Sequence, residues 1–231
     1  MNVYDGSGAG AGAIGPGTAG LLPVAGYGYA AVTQPGAGSV TATDLSVSPL
    51  VPTVISGLND PCALELAKVG ATVYVDVYSC GDKTVKRFDA ATGVLQASSS
   101  VAVVTTETSG NTGAQLAYLP SGTAALMSPA DKSVLVVAGT NPVNTAPIGG
   151  EPLFLVPDPA HNAFMVLYVP SDDQTVIKAV RIDTSGTPHN LAAQWNVSSA
   201  PVVVAISKDV NGSTIYTVDD TGTKLPDQPN N

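Results

Sequence analysis

The chain is 231 residues long and 44% hydrophobic, but only 12% charged, with 9 Lys plus Arg against 18 Asp plus Glu. That length and apolar content allow a sizeable core within one all-β domain. A net charge of -9 with two arginines denies it the basic footprint that nucleic acid demands, and disfavours an anionic membrane surface. No window approaches the roughly 18 consecutive apolar residues of a membrane helix, so membrane insertion is not expected.

Residues 1–23 form a Gly/Ala-rich arm that includes Gly6, Gly8, Gly10, Gly12 and Ile14. Alone, such a composition is flexible. The opening Met1-Asn2-Val3-Tyr4-Asp5 lacks the basic and apolar regions of a signal peptide, so either a leader has been removed or the native chain begins here. The arm contains a glycine pattern of dinucleotide type, but no strand precedes it and Pro16 interrupts any following helix, so no cofactor is expected there.

A single all-β domain is expected over 24–224, followed by a polar tail, 225–231. Tyr27 to Gln34 and Ser39 to Ser46 read as a hairpin joined by Pro35-Gly36-Ala37-Gly38. Pro49 to Thr53 connects to strands at Pro61 to Leu66, Thr72 to Tyr78 and Thr84 to Asp89. Two further strands follow, at Val94 to Ser98 and Val101 to Thr106. Gln115 to Leu119, Thr123 to Ser128 and Ser133 to Ala138 come next. Gly150 then opens the clearest module, with strands at Leu153 to Val156, Phe164 to Val169 and Thr175 to Asp183. Val202 to Ser207 and Ser213 to Asp219 close the domain. No segment of ten residues has a capped helical period.

Cys62 and Cys80 lie on neighbouring predicted strands, where a disulfide is geometrically open to them; two unpaired thiols are the other reading. Two cysteines and two distant histidines supply no metal-ligand set. Asp209-Val210-Asn211-Gly212 reads as a hairpin turn and not a calcium loop. His161 and His189 have no Ser, Cys or Asp at a spacing that marks catalysis, so no catalytic residue is assigned.

Pro61 precedes Tyr74, Pro152 precedes Tyr168 and Pro201 precedes Tyr216. Three turns repeat an Asp followed by Gly: Asp89 to Gly93, Asp183 to Gly186 and Asp219 to Gly222. The spacing approximates 45 to 49 residues, within the propeller range. With Val73-Tyr74-Val75, Leu167-Tyr168-Val169 and Phe88-Asp89-Ala90-Ala91-Thr92-Gly93, the chain resembles bacterial β-propeller repeats of the YVTN and NHL kind over about residues 55–222. The resemblance implies a small propeller of about four blades, with five the alternative, from which the chain departs in a degenerate unit at 113–145 and in missing fourth strands. The last unit stops after two strands and the first begins with an orphan hairpin at 27–46, so ring closure by a blade combining strands from both termini is expected. The alternative architecture is a β-sandwich-type assembly subunit.

Two functions fit these features. The first is a non-enzymatic structural or adhesive subunit of an extracellular assembly, such as a phage-type virion component, with the arm adding contacts to a neighbouring subunit. Its partners would be other protein subunits, itself included, or a cell-surface glycan or receptor. The second is a secreted propeller that binds a ligand, glycan or peptide through loops 79–83, 139–149 and 170–174, with hydrolase or lyase activity as an extension.

Overall fold

The structure is a computed structural model. It describes residues 2–4, 10–13, 19–24, 27–34, 37–69, 71–108, 113–138, 141–199, 203–209, 212–218, 223–226 and 228–229. Among them the regular structure is β, apart from short 3-10 turns. The strands group into antiparallel sheets whose strands follow one another in sequence.

Strands β1 (Asn2–Tyr4) and β2 (Gly10–Ala13) form a two-stranded ladder. The first four-stranded sheet contains β3 (Ala19–Val24), β4 (Tyr27–Gln34), β5 (Ser39–Asp44) and β6 (Pro52–Ile55). The second contains β7 (Pro61–Val69), β8 (Thr72–Ser79), β9 (Thr84–Asp89) and β10 (Leu95–Ala102). The third contains β11 (Gln115–Tyr118), β12 (Ala124–Ser128), β13 (Ser133–Ala138) and β14 (Asn141–Pro147). The fourth contains β15 (Gly150–Asp158), β16 (Ala163–Pro170), β17 (Val176–Asp183) and β18 (Pro188–Asn196). A three-stranded sheet of β19 (Val203–Asp209), β20 (Gly212–Val218) and β21 (Gln228–Pro229) ends the chain.

Several sequence expectations are corrected. Fourth strands are present, and they are the edge strands β6, β10, β14 and β18. Three of them carry proline, Pro52, Pro142 with Pro147, and Pro188, which an edge position tolerates because no partner needs the missing N–H. β18 also hides a clear alternation, with Leu191, Ala193 and Trp195 buried between exposed neighbours. The two strands read at 94–98 and 101–106 are one strand, β10, whose pairing with β9 breaks between Leu95 and Ser100. The unit at 113–145 is a complete sheet. The hairpin at 27–46 is likewise part of a complete one, and among the described residues no sheet combines strands of both termini. Within 1–23 the described residues form β1, β2 and most of β3.

The chain divides into two compact units, Met1–Tyr118 with Gly139–Pro142, and Leu119–Ala138 with Val143–Asn231. In the first, one face of the second sheet (Leu64, Leu66, Val73, Val75, Val77, Phe88) packs on Val40, Ala42, Ile55 and Leu58. In the second, Met165, Leu167, Ile177, Ala179, Leu191, Ala193, Trp195 and Ile215 form one cluster. Strands β8 and β16 are buried on both faces, as expected for sheets stacked between other sheets.

The second and fourth sheets match row by row. Pro61 pairs with Ser79 and Pro152 with Tyr168, each proline followed by a bulge; Asp89 pairs with Tyr74 and Asp183 with Ala163. The proline and aspartate landmarks therefore register. The tyrosines do not: Tyr74 pairs with Ala67 and Asp89, whereas Tyr168 pairs with Pro152 and Lys178, so Tyr168 matches Ser79, five residues on from Tyr74.

Candidate functional site

In the second sheet, cross-strand register aligns Glu65 with Asp76 and Asp76 with Arg87. Directly opposed residues project to the same face of a sheet, so three strands deliver two carboxyl groups and one guanidinium to one row. Asp76 is 2% exposed. Arg87 clasps it with two bonds, Nε donating to Oδ1 at 2.7 Å and Nη2 to Oδ2 at 2.6 Å. Arg87 Nη1 also donates to the Tyr118 hydroxyl on β11 at 3.3 Å. Its guanidinium carbon lies 4.5 Å from the Tyr118 ring centroid and 5.5 Å from that of Tyr74, within cation–π range.

Burial pushes the Glu65 carboxyl up to about 7, and the negative charge of Asp76 adds to the rise. Burial also raises Asp76, against the opposing pull of the two Arg87 bonds. Arg87 itself loses by desolvation, but the Asp76 bonds more than offset that and hold it above its usual range. With Asp76 and Arg87 paired as ions, the cluster carries either no net charge or one negative charge, according to the proton on Glu65. A carboxyl near 7 can give or take a proton at neutral pH.

The same row of the fourth sheet holds Val156, Met165 and Arg181. Building such a sheet therefore requires neither carboxyl. Glu65, Asp76 and Arg87 went unassigned in the sequence because Glu65 between Leu64 and Leu66, and Asp76 between Val75 and Val77, read as the ordinary polar positions of a half-exposed strand. Their common row was the signal available, and it needs the strand register.

The predicted turn chemistry is present at two of its three positions. Asp89 Oδ1 accepts from the N–H groups of Ala91 and Thr92 at 2.9 Å each, and Gly93 adopts φ 71°. Asp183 Oδ1 accepts from Ser185 N–H, Thr187 N–H and the Ser185 hydroxyl, with Gly186 at φ 84°. Although slight burial works against its charge, these bonds hold the Asp183 carboxyl down at about 2. Asp219 and Gly222 lie outside the described residues. Asp44 makes the same bond to Ser46 N–H at 2.8 Å, at the end of the third strand of its sheet.

Cys62 and Cys80 form a disulfide, with Cα atoms 5.8 Å apart. It ties the start of β7 to the turn after β8. In that turn Asp82 Oδ2 pairs with Lys86 Nζ at 2.7 Å, and Lys83 Nζ donates to the Glu107 carbonyl. Of the arm residues, Gly10 and Gly12 lie in β2, while Gly6, Gly8 and Ile14 are outside the described residues. Loop 79–83 lies in the first unit and 170–174 in the second; both join the second and third strands of their sheets. Most of 139–149 is β14, not loop. Asp209 and Gly212 are paired across the last hairpin.

His161 and His189 each meet a carboxylate that spacing had not marked: His161 Nδ1 lies 2.8 Å from Asp158 Oδ2, and His189 Nε2 lies 3.3 Å from Asp183 Oδ2.

No protein-family model matches the chain, and no curated protein sequence does. Solved structures do. Hydrazine synthase from Kuenenia stuttgartiensis matches with a TM-score of 0.61 at 15% identity, over 88% of this chain and 55% of that one. Virginiamycin B lyase from Staphylococcus aureus matches at 0.56 and 14% identity, over 89% of this chain and 68% of that one. Dihydro-heme d1 dehydrogenase NirN in complex with DHE matches at 0.52 and 10% identity, over 88% of this chain and 44% of that one. The chain thus spans about half of the hydrazine synthase chain. These likenesses, with the repeated four-stranded antiparallel sheets, define the fold class as a small β-propeller.

Proposed function

We infer that this chain is a ligand-binding β-propeller domain whose recognition point is the Glu65–Asp76–Arg87–Tyr118 cluster. The carrying observation is the replaced row: where the fourth sheet uses Val156 and Met165, the second places two carboxyl groups, one of them pushed up to about 7. Burying ionisable groups costs desolvation that an apolar pair avoids, and perturbed groups of this kind concentrate at functional sites. A ligand, glycan or peptide bound there would meet a proton donor or acceptor in Glu65. That chemistry extends the reading to a lyase or hydrolase, and propellers whose names are lyase and dehydrogenase share the fold. The Asp-capped turns support membership of the YVTN and NHL repeat kind, and the disulfide fits an extracellular location. The test is calorimetric titration of hits from glycan and peptide libraries into wild type, Glu65→Gln and the Glu65→Val/Asp76→Met pair. At least tenfold weaker binding by both variants is expected; unchanged affinity overturns the reading.

A second reading, the structural or adhesive subunit of an extracellular assembly or virion, is favoured by exposed aliphatic side chains in the first unit. Val51, Val54, Val94 and Val104 are 67%, 60%, 59% and 94% exposed. The turn carrying Val94 lies against β6, where Thr53 Oγ1 donates to the Ala91 carbonyl at 3.0 Å. Such surface suits other protein subunits. Under this reading, Val54→Glu/Val94→Glu, or removal of residues 1–20, lowers the mass of the particle measured by light scattering.

A further inference from the structure

Two turns of the second unit share one construction. Ser128-Pro129-Ala130-Asp131-Lys132-Ser133 and Asp158-Pro159-Ala160-His161-Asn162-Ala163 each join paired end residues, Ser128 with Ser133 and Asp158 with Ala163. The fifth residue of each is left-handed, Lys132 at φ 48° and Asn162 at φ 49°. Lys132 N–H donates to the Pro129 carbonyl at 3.1 Å, and Asn162 N–H to the Pro159 carbonyl at 3.3 Å. In both, the first and fourth side chains are joined. The first turn uses Ser128 Oγ donating to Asp131 Oδ2 at 2.6 Å; the second uses His161 Nδ1 against Asp158 Oδ2 at 2.8 Å.

A hydroxyl and a carboxylate therefore suffice to pin this turn, and the imidazole is an addition that the backbone does not require. Asp158 is fully buried while the His161 ring is partly exposed. A carboxylate accepting from Nδ1–H selects one tautomer and leaves the lone pair on Nε2, across the ring from the buried oxygen. That is the orientation a proton acceptor needs.

We propose that Asp158 and His161 form a second functional site, in which Asp158 is a positioning residue and His161 Nε2 accepts a proton from a hydroxyl-bearing ligand or from water. This site is independent of the Glu65 cluster.

Hydrolysis of p-nitrophenyl acetate is a suitable probe. Nε2 takes a proton from water as the water oxygen adds to the acetyl carbonyl; the adduct expels p-nitrophenolate and leaves acetic acid, and the imidazolium returns its proton to solvent. Wild type should exceed His161→Gln at least about tenfold, and run slower in deuterated water, as general-base catalysis requires. Asp158→Asn should lose the same rate, and nitrogen-15 spectra should show its His161 departing from the Nδ1–H tautomer of wild type. His189→Gln, at the other carboxylate-bonded histidine, should keep the rate. The Asp158→Ser/His161→Asp exchange, which copies the first turn, should melt as wild type does while losing the rate. The proposal is overturned if wild type is no faster than His161→Gln, if His189→Gln loses the rate, if wild-type His161 is not the Nδ1–H tautomer, or if the exchange variant unfolds.

Discussion

The second and fourth sheets share a register from proline bulge to aspartate turn, yet one row differs in kind. Glu65, Asp76 and Arg87 in the second sheet stand where Val156, Met165 and Arg181 stand in the fourth. In the fourth sheet that face is core, with Met165 and Leu167 packed on Ile177, Leu191, Trp195 and Ile215. In the second it is a buried ion pair with a protonatable neighbour, closed by Tyr118. The two sheets thus fill one row of a shared register with different chemistry.

The most forceful way to break this comparison is to remove the shared arginine from each row. Arg87→Met leaves the Asp76 carboxylate buried without its partner and should cost about 3–5 kcal/mol in urea unfolding at pH 7. Arg181→Met, opposite Met165 and not a buried carboxylate, should cost less than Arg87→Met. Equal losses would show that the rows do the same work.

Glu65 sharpens the comparison through pH. Its folded value is raised above the ordinary 4.5 to about 7, so its contribution to stability is fully present below about 4.5 and is lost as pH rises through about 7. Glu65→Gln removes that loss. Chemical unfolding should show the variant more stable than wild type by up to about 3 kcal/mol above pH 8, with no gain at pH 4. The fourth sheet, with Val156 in this place, has no counterpart to the effect.

The disulfide is also confined to the second sheet, since Leu153 occupies the bulge position of Cys62. Cys62→Ser/Cys80→Ser opens a loop of sequence separation 18 and should cost about 3 kcal/mol, read as a fall in melting temperature. Reduction of wild type should give the same shift.

The smallest effects belong to the turns the two sheets share. A Cβ on Gly186 would sit 2.5 Å from the Asn144 Cβ, whereas one on Gly93 would meet Thr53 Cγ2 at 3.3 Å, and both glycines have positive φ. Gly186→Ala should cost about 2 kcal/mol and Gly93→Ala about 1 kcal/mol by thermal unfolding. The reverse order would mean that the two turns are braced differently from their backbone geometry.

Much of the architecture was legible in the sequence because its causes are local. Runs such as Val73 to Val77 and Phe164 to Val169 carry strand propensity in themselves, and Asp89 with Gly93 carries its own turn bonds. Edge strands were not legible where proline and polar residues made them resemble connections, as at Asn141–Pro147. Tyr74 and Tyr168 misled because identity of residue type says nothing about register, which the cross-strand pairing decides.

By itself the sequence determined an all-β chain of short antiparallel strands, its turns, and a net charge of -9. Those follow from periodicity, turn residues and composition, each read within a few neighbours. Only the tertiary structure decided that Glu65, Asp76 and Arg87 share a row, that β11 closes over them, and that Asp158 holds His161. The residues of the row are 11 apart, from Glu65 to Asp76 and from Asp76 to Arg87, and nothing in their own neighbourhoods marks the alternating polar face as buried. Burial raises the Glu65 and Asp76 carboxyls above their ordinary values, and burial is a property of what packs above a strand, not of the strand's own residues.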